Sequence, residues 1–158
     1  MIKNIHIFDI DGTLVDSSHR YRTIWNGSKI TIDLPHWKAN EKHFAKDTLL
    51  PLAERFAELN KDPETYTIWI TARTRKHLTE SFDWLVSKMG QPNKWFCRPD
   101  GSMESGAVLK TKQLNSIMNL KQFQKANRFF YEDNKDYLDA VCSAIDAVPV
   151  YVESNQGY

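Results

Sequence analysis

The chain has 158 residues, enough for one domain with a substantial hydrophobic core. Its 41% hydrophobic and 26% charged residues are those of an ordinary soluble globular protein. No apolar run is long enough to span a membrane, and no signal peptide is evident, so the expected compartment is the cytoplasm. The net charge of +1 conceals an uneven distribution. Residues 19–46 carry Arg20, Arg22, Lys29, Lys38, Lys42 and Lys46 against Asp33 and Glu41, and the remainder is net acidic.

Residues 4–9, NIHIFD, read as a first strand in which His6 alternates with Ile5 and Ile7 as a packed side chain. Residues 47–60 predict a helix with Leu49, Leu52, Ala53, Phe56 and Ala57 on one face and Pro51 in its first turn. YTIWIT (66–71) predicts a second strand, and residues 74–90 a helix closed by Gly90. KWFC (94–97) is a short third strand, and residues 111–120 a helix. NRFFYED (127–133) is the fourth strand, residues 134–145 a helix, and PVYVE (149–153) the fifth strand. Cys97 and Cys142 lie in apolar surroundings without metal-type spacing and read as reduced core thiols.

Apolar strands alternating with amphipathic helices imply an α/β fold with a mainly parallel sheet covered on both faces. Ligands then gather at the carboxyl ends of the strands. Polar residues fall at those ends: Asp9 and Asp11, Thr71 and Arg73, and Glu132 and Asp133, with Lys110 after the third strand. Asp9 and Asp11 would repel each other unless a cation sits nearby. A calcium EF-hand loop would need glycine at its sixth position and glutamate at its twelfth. Here Gly12 comes fourth and Arg20 twelfth, which excludes that loop.

DIDGT (9–13) resembles the first signature of the haloacid dehalogenase-like (HAD) phosphatases. WITAR resembles the second, Lys110 in VLKTK the third, and FFYEDN the acidic fourth, in the superfamily's order. The resemblance implies a Rossmann-like three-layer sandwich with five strands, Mg²⁺, and phosphoryl transfer through an aspartyl-phosphate. On this reading Asp9 is the nucleophile and Asp11 the acid and then base. Thr71 and Lys110 contact the phosphoryl oxygens, while Gly12 and Thr13 shape the substrate loop. Mg²⁺ is held by Asp9, the backbone carbonyl of Asp11, and Asp133. Lys112 competes with Lys110, which is preferred because it directly precedes the expected helix. Glu132 is expected to reach the metal only through water. Asp136 reads either as an outer-sphere acid or as a helix-start residue.

About 34 residues separate Thr13 from Thr48, too few for a separately folded cap, so residues 1–158 read as a single uncapped HAD domain. The first signature, ITAR, FCRPDG and EDN further resemble the 3′-phosphatase domain of phage-type polynucleotide kinase/phosphatases. That resemblance implies nucleic acid 3′ ends as substrate. Arg73, which matches its second signature, reads either as a bidentate phosphate ligand or as a salt-bridge partner at the start of the following helix. No kinase-type GxxxxGK[ST] loop occurs. The basic-aromatic segment allows two readings. Arg20, Arg22, Lys38 and Lys42 follow a strand on which Trp25 and Trp37 stack, or the segment is a solvated surface with anchoring aromatics. The substrate alternatives are therefore a polynucleotide 3′ end and a free nucleotide or other small phosphomonoester. A non-catalytic binding module is the third reading, disfavoured by the complete set of Asp9, Asp11, Thr71, Lys110 and Asp133.

Overall fold

Alternation along β1 (Asn4–Phe8) sends Ile5 and Ile7 to one face of a sheet and His6 and Phe8 to the other. In the computed structural model, which describes residues 1–157, the strand is the sheet's centre. The chain continues through β2 (Val15–Asp16), β3 (Thr23–Trp25), β4 (Ile30–Ile32), α1 (Leu34–Ala39) and β5 (Thr48–Leu49). Then follow α2 (Leu52–Leu59), β6 (Thr65–Thr74), α3 (Arg75–Met89), β7 (Lys94–Arg98), α4 (Gly106–Met118), β8 (Asn127–Glu132), α5 (Lys135–Ile145) and β9 (Val148–Tyr151). The main sheet is parallel throughout, in the order β7-β6-β1-β8-β9.

Helices cover both faces, as the alternating pattern requires. Ile5, Ile7, Ile68, Ile70 and Phe130 pack under Leu114 and Met118 of α4 and Leu138 and Val141 of α5. Phe8, Trp69 and Tyr131 pack under Phe56 of α2 and Leu78, Leu85 and Met89 of α3. Each such side chain contributes roughly 1.5–3 kcal/mol by leaving water, so the sheet is a rigid platform for its strand ends. His6 is packed as expected: its ring stacks on Phe129, and Nδ1 lies 2.8 Å from the Tyr131 hydroxyl. The thiols of Cys97 and Cys142 are free. Among the described residues, no helix is long and apolar enough to cross a membrane.

Two helix starts differ from expectation. The helix expected from residue 47 begins at Leu52, because Thr48 and Leu49 pair with Asp16 and Val15 and Asp47 is drawn into a buried ion cluster. The helix expected from residue 111 begins at Gly106, capped by Ser105, whose hydroxyl accepts from the Val108 amide. Gly106 is required there because a Cβ would run into the Tyr137 ring. The insert between β2 and β5 folds as the β3–β4 hairpin, the short helix α1 and two 3₁₀ turns, with no sheet partner in the main sheet. Arg22 and the α1 cap Asp33 tie its base together.

Candidate active site

Parallel strands bring their carboxyl ends to one edge, so residues far apart in sequence meet there. Asp9 follows β1, and its amide donates to Tyr131 O of β8. Asp133 follows β8. Lys110 lies in the second turn of α4, fully buried, rather than ahead of the helix. Its Nζ donates to Asp9 Oδ1 at 2.9 Å and to Glu132 Oε2 at 2.6 Å. Lys112 is exposed and pairs with Glu104, so Lys110 is the lysine at the crevice.

Carboxylate oxygens of Asp9, Glu132 and Asp133 all lie within 4.8 Å of one another, and the three residues are buried. Three carboxylates face one ammonium. Burial, reinforced by Glu132, pushes Asp9 up to about 7 despite Lys110. Burial, then Asp9, pushes Asp133 up to about 7. Glu132 rises to about 7 through burial, against the pull of Lys110. A buried set of hard oxygen donors short of positive charge fits a divalent cation such as Mg²⁺. Glu132 has both oxygens engaged, Oε2 by Lys110 and Oε1 by the amides of Asp133 and Asn134. Asp136 is exposed in the first turn of α5 and belongs to the helix start.

Asp11 stands in the opposite environment. Its carboxylate accepts from Arg73 Nε at 2.8 Å and Nη2 at 2.7 Å, and from Ser17 Oγ at 2.9 Å. Arg20 Nη2 lies 3.8 Å away and is itself forked onto Asp47 at 2.8 and 2.9 Å. Burial alone would raise Asp11, but Arg73 and then Arg20 hold its carboxyl well below the usual carboxylate range. Its side chain is thus not among the clustered carboxylates, and only its backbone carbonyl remains for a cation.

Three expected substrate contacts are placed differently. Arg73 spends its fork on Asp11, with Nη1 donating to Ser81 Oγ at 2.9 Å, instead of presenting two free donors to a phosphate. Thr13 is fully buried and donates to Asp9 Oδ2 at 3.2 Å. Gly12, at φ +79, makes a turn whose amide donates to Val15 O, and neither it nor Thr13 lines the crevice. A Cβ on Gly12 would collide with the Asp133 carboxylate and the Ser154 hydroxyl, which explains the glycine by close approach. Thr71 is buried at the crevice floor, where β6 shifts its register against β7. Its hydroxyl oxygen accepts from the Arg73 amide, which leaves the O–H to donate.

The crevice holds about 380 Å³. It is lined by the buried carboxylate set with Thr71 and Lys110, by Ile32, Leu34 and Trp37 of the insert, and by Met103 and Tyr137. Sequence reasoning passed over Asp47 and Ser17, and over Arg20 as an ion-pair partner. No local pattern marks them, because their partners lie 6 to 27 residues away or more.

No curated protein matches the sequence. Among solved structures, 97% of the chain superposes on 43% of a chain of the Pnkp1/Rnl/Hen1 RNA repair complex, with a TM-score of 0.69 at 16% identity. It therefore spans less than half the length of that chain. The HAD domain of effector protein Lem4 from Legionella pneumophila matches over 99% of this chain and 89% of its own, with a TM-score of 0.59 at 14% identity. At these identities the likeness is one of fold, and that fold is the HAD fold. The model of the family described as bacteriophage T5 5′-deoxynucleotidase matches residues 1–83, from β1 through the insert into α3. That stretch includes Asp9, Asp11, Thr71 and Arg73, and with its match covering more than half of the sequence, this HAD-fold chain belongs to the bacteriophage T5 5′-deoxynucleotidase family.

Proposed function

We propose that the protein is a Mg²⁺-dependent phosphomonoesterase for nucleoside 5′-monophosphates, acting in the cytoplasm as one catalytic domain. The observation that carries this reading is that both arginines of the insert are spent on aspartates of this chain, Arg20 on Asp47 and Arg22 on Asp33. Arg20 is 1% exposed and forked onto Asp47 beneath Trp37, whose ring centroid lies 4.3 Å from the guanidinium. Arg22 is paired with Asp33. Arg20 is buried away from any strand that crosses the surface, Arg22 is held by Asp33, and the crevice beside the insert has the dimensions of a small-molecule site. The family's description, a 5′-deoxynucleotidase, supports the same reading.

In the proposed reaction the phosphate enters above Asp9, Thr71 and Lys110. An Asp9 carboxylate oxygen bonds to phosphorus as the ester P–O bond breaks, and the departing 5′ oxygen takes a proton from solvent, giving an aspartyl-phosphate and the freed nucleoside. Water then attacks the phosphorus, the Asp9–phosphorus bond breaks, and Asp11 takes the water's proton and returns it to solvent. Arg73 and Arg20 hold Asp11 ionised, which leaves it open to a proton but weakens it as a base, and weighs against its prior role as acid. Thr71 donates to a phosphoryl oxygen, and Lys110 fixes Asp9 while adding positive charge beneath the phosphate. Asp9, Asp133 and the Asp11 carbonyl would hold the cation, with Glu132 behind Lys110. Such a cation lowers the like-charge repulsion between carboxylate and phosphate. Trp37 and Ile32 supply an apolar wall for the base.

A polynucleotide 3′-phosphatase is the second reading, favoured by the fold likeness to a chain of an RNA repair complex and by Trp25, 66% exposed on the β3–β4 hairpin. Parallel kcat/KM measurements on deoxynucleoside 5′-monophosphates, nucleoside 3′-monophosphates and 3′-phosphorylated oligonucleotides decide between them. The 5′-monophosphates are expected to lead at every salt concentration. A salt-sensitive preference for the oligonucleotide would replace this reading with the second.

A further inference from the structure

The chain after β9 returns to the crevice, and its polar groups end on both halves of the site. The Ser154 hydroxyl accepts from the Gln156 amide at 2.9 Å, so its single proton is directed at Asp133 Oδ2, 2.8 Å away. Gln156 is 6% exposed, and its side-chain amide is matched to Ser17: Oε1 accepts from the Ser17 amide at 3.2 Å, and Nε2 donates to Ser17 Oγ at 2.9 Å. The Ser17 hydroxyl, its acceptor side so occupied, donates its proton to Asp11 Oδ1. The Gln156 carbonyl accepts from the Tyr21 hydroxyl at 2.8 Å, joining the same segment to the insert. Glycine is needed on both sides of this crossing. A Cβ on Gly157 would strike the Asp133 carbonyl oxygen, and one on Gly12 would strike Ser154 and Asp133.

We infer that residues 153–157 form a strap holding two positioning residues for the reaction: Ser154, which orients Asp133 toward the cation, and Gln156, which orients Asp11 through Ser17. The inference rests on the metal and base roles proposed above. Packing a terminal segment onto a sheet requires only backbone bonds and apolar contacts. Here the proton directions run from the strap to the two carboxylates, one at the cation cluster and the other at the arginine cluster. Ser154 leaves Asp133 Oδ1 outside the bond, so the carboxylate is fixed by one oxygen while the other stays available. Outer-shell partners of this kind set ligand orientation and metal affinity. Gln156 acts one bond further out, where a tilt of Asp11 changes proton transfer but not cation binding.

The test uses the full chain as wild type, Ser154→Ala, Ser154→Thr, Gln156→Leu and Gln156→Glu. Mg²⁺ dissociation constants come from calorimetry, kcat and KM from p-nitrophenyl phosphate hydrolysis, and folding from thermal melts. Ser154→Ala is expected to weaken Mg²⁺ about tenfold, with kcat recovering at saturating Mg²⁺, and Ser154→Thr to restore the affinity by returning the hydroxyl. Gln156→Leu is expected to keep the Mg²⁺ affinity and KM while kcat falls roughly tenfold. Gln156→Glu, nearly isosteric but unable to donate to Ser17 Oγ, is expected to do the same. Variants with wild-type Mg²⁺ affinity and kcat, whatever their melting temperatures, would reduce the strap to packing. A wild type that hydrolyses phosphate with Mg²⁺, beside variants that match it, overturns this inference alone. A wild type that neither binds Mg²⁺ nor turns over overturns the proposed function with it.

Discussion

Asp9 and Asp11 are two residues apart, yet they belong to clusters of opposite electrostatic character. Around Asp9, three buried carboxylates share Lys110, and burial holds all three carboxyls up at about 7. Around Asp11, two aspartates, Asp11 and Asp47, meet two arginines, Arg73 and Arg20, and Asp11 is held low. The first cluster is short of positive charge. The second is neutral in itself and fixes Asp11 as a carboxylate. The same residue type thus acquires two chemistries from its neighbours, as expected where environments drive paired carboxyls apart.

The largest expected effect breaks the charge-deficient side. Asp9→Asn removes the attacking charge at constant size, and steady-state turnover should fall at least ~10³-fold while circular dichroism stays native. Retained turnover would exclude Asp9 as nucleophile. Next, isosteric changes in the two clusters should move stability in opposite directions. Asp47→Asn strips a buried partner from Arg20 and Arg73 and should cost about 3–5 kcal/mol in urea unfolding. Asp133→Asn in Mg²⁺-free buffer should cost nothing or stabilise, because it relieves carboxylate crowding. Mg²⁺ is expected to raise the melting temperature of the wild type and to leave that of Asp133→Asn unchanged.

A smaller effect reads the balanced cluster through pH. His77 is fully buried and, through desolvation and then Arg73, is lowered to about 3, with Arg20 adding to this and Asp11 opposing it. Trp37 lies edge-on to its ring, and Glu41 Oε1 is 3.7 Å from Nδ1. Its folded pKa lies below the unfolded value near 6.5. The stability it contributes is therefore complete above that pH and lost as pH falls toward about 3. Unfolding free energies between pH 7 and pH 4 should fall less steeply in His77→Asn, with a difference of no more than ~4 kcal/mol. Equal slopes would show that His77 is not held neutral. The smallest effect is at Lys112. Its exposed pair with Glu104 is worth about 0–1 kcal/mol, so Lys112→Ala should leave melting temperature and kcat/KM near wild type, whereas Lys110→Ala should not.

The parallel α/β layout and the stations at the strand ends were legible in the residues themselves. Periodicity reports which face each element buries, and a parallel sheet then sends every strand's carboxyl end to one edge. The two like charges of DIDGT at a strand tip called for counter-charge, and the fold supplies it separately, Lys110 to Asp9 and Arg73 with Arg20 to Asp11. Tertiary structure alone decided the partners. Arg73 on Asp11 spans 62 positions, and Gln156 on Ser17 spans 139. No periodicity encodes such separations, so an arginine suited to a phosphate was found gripping a carboxylate of its own chain. Helix starts escaped for a related reason: Asp47 left the helical pattern to enter a buried ion cluster, and Gly106 entered α4 because it must pass Tyr137. Local sequence determines which groups reach the edge of the sheet; their charge state and aim depend on what the rest of the fold places against them.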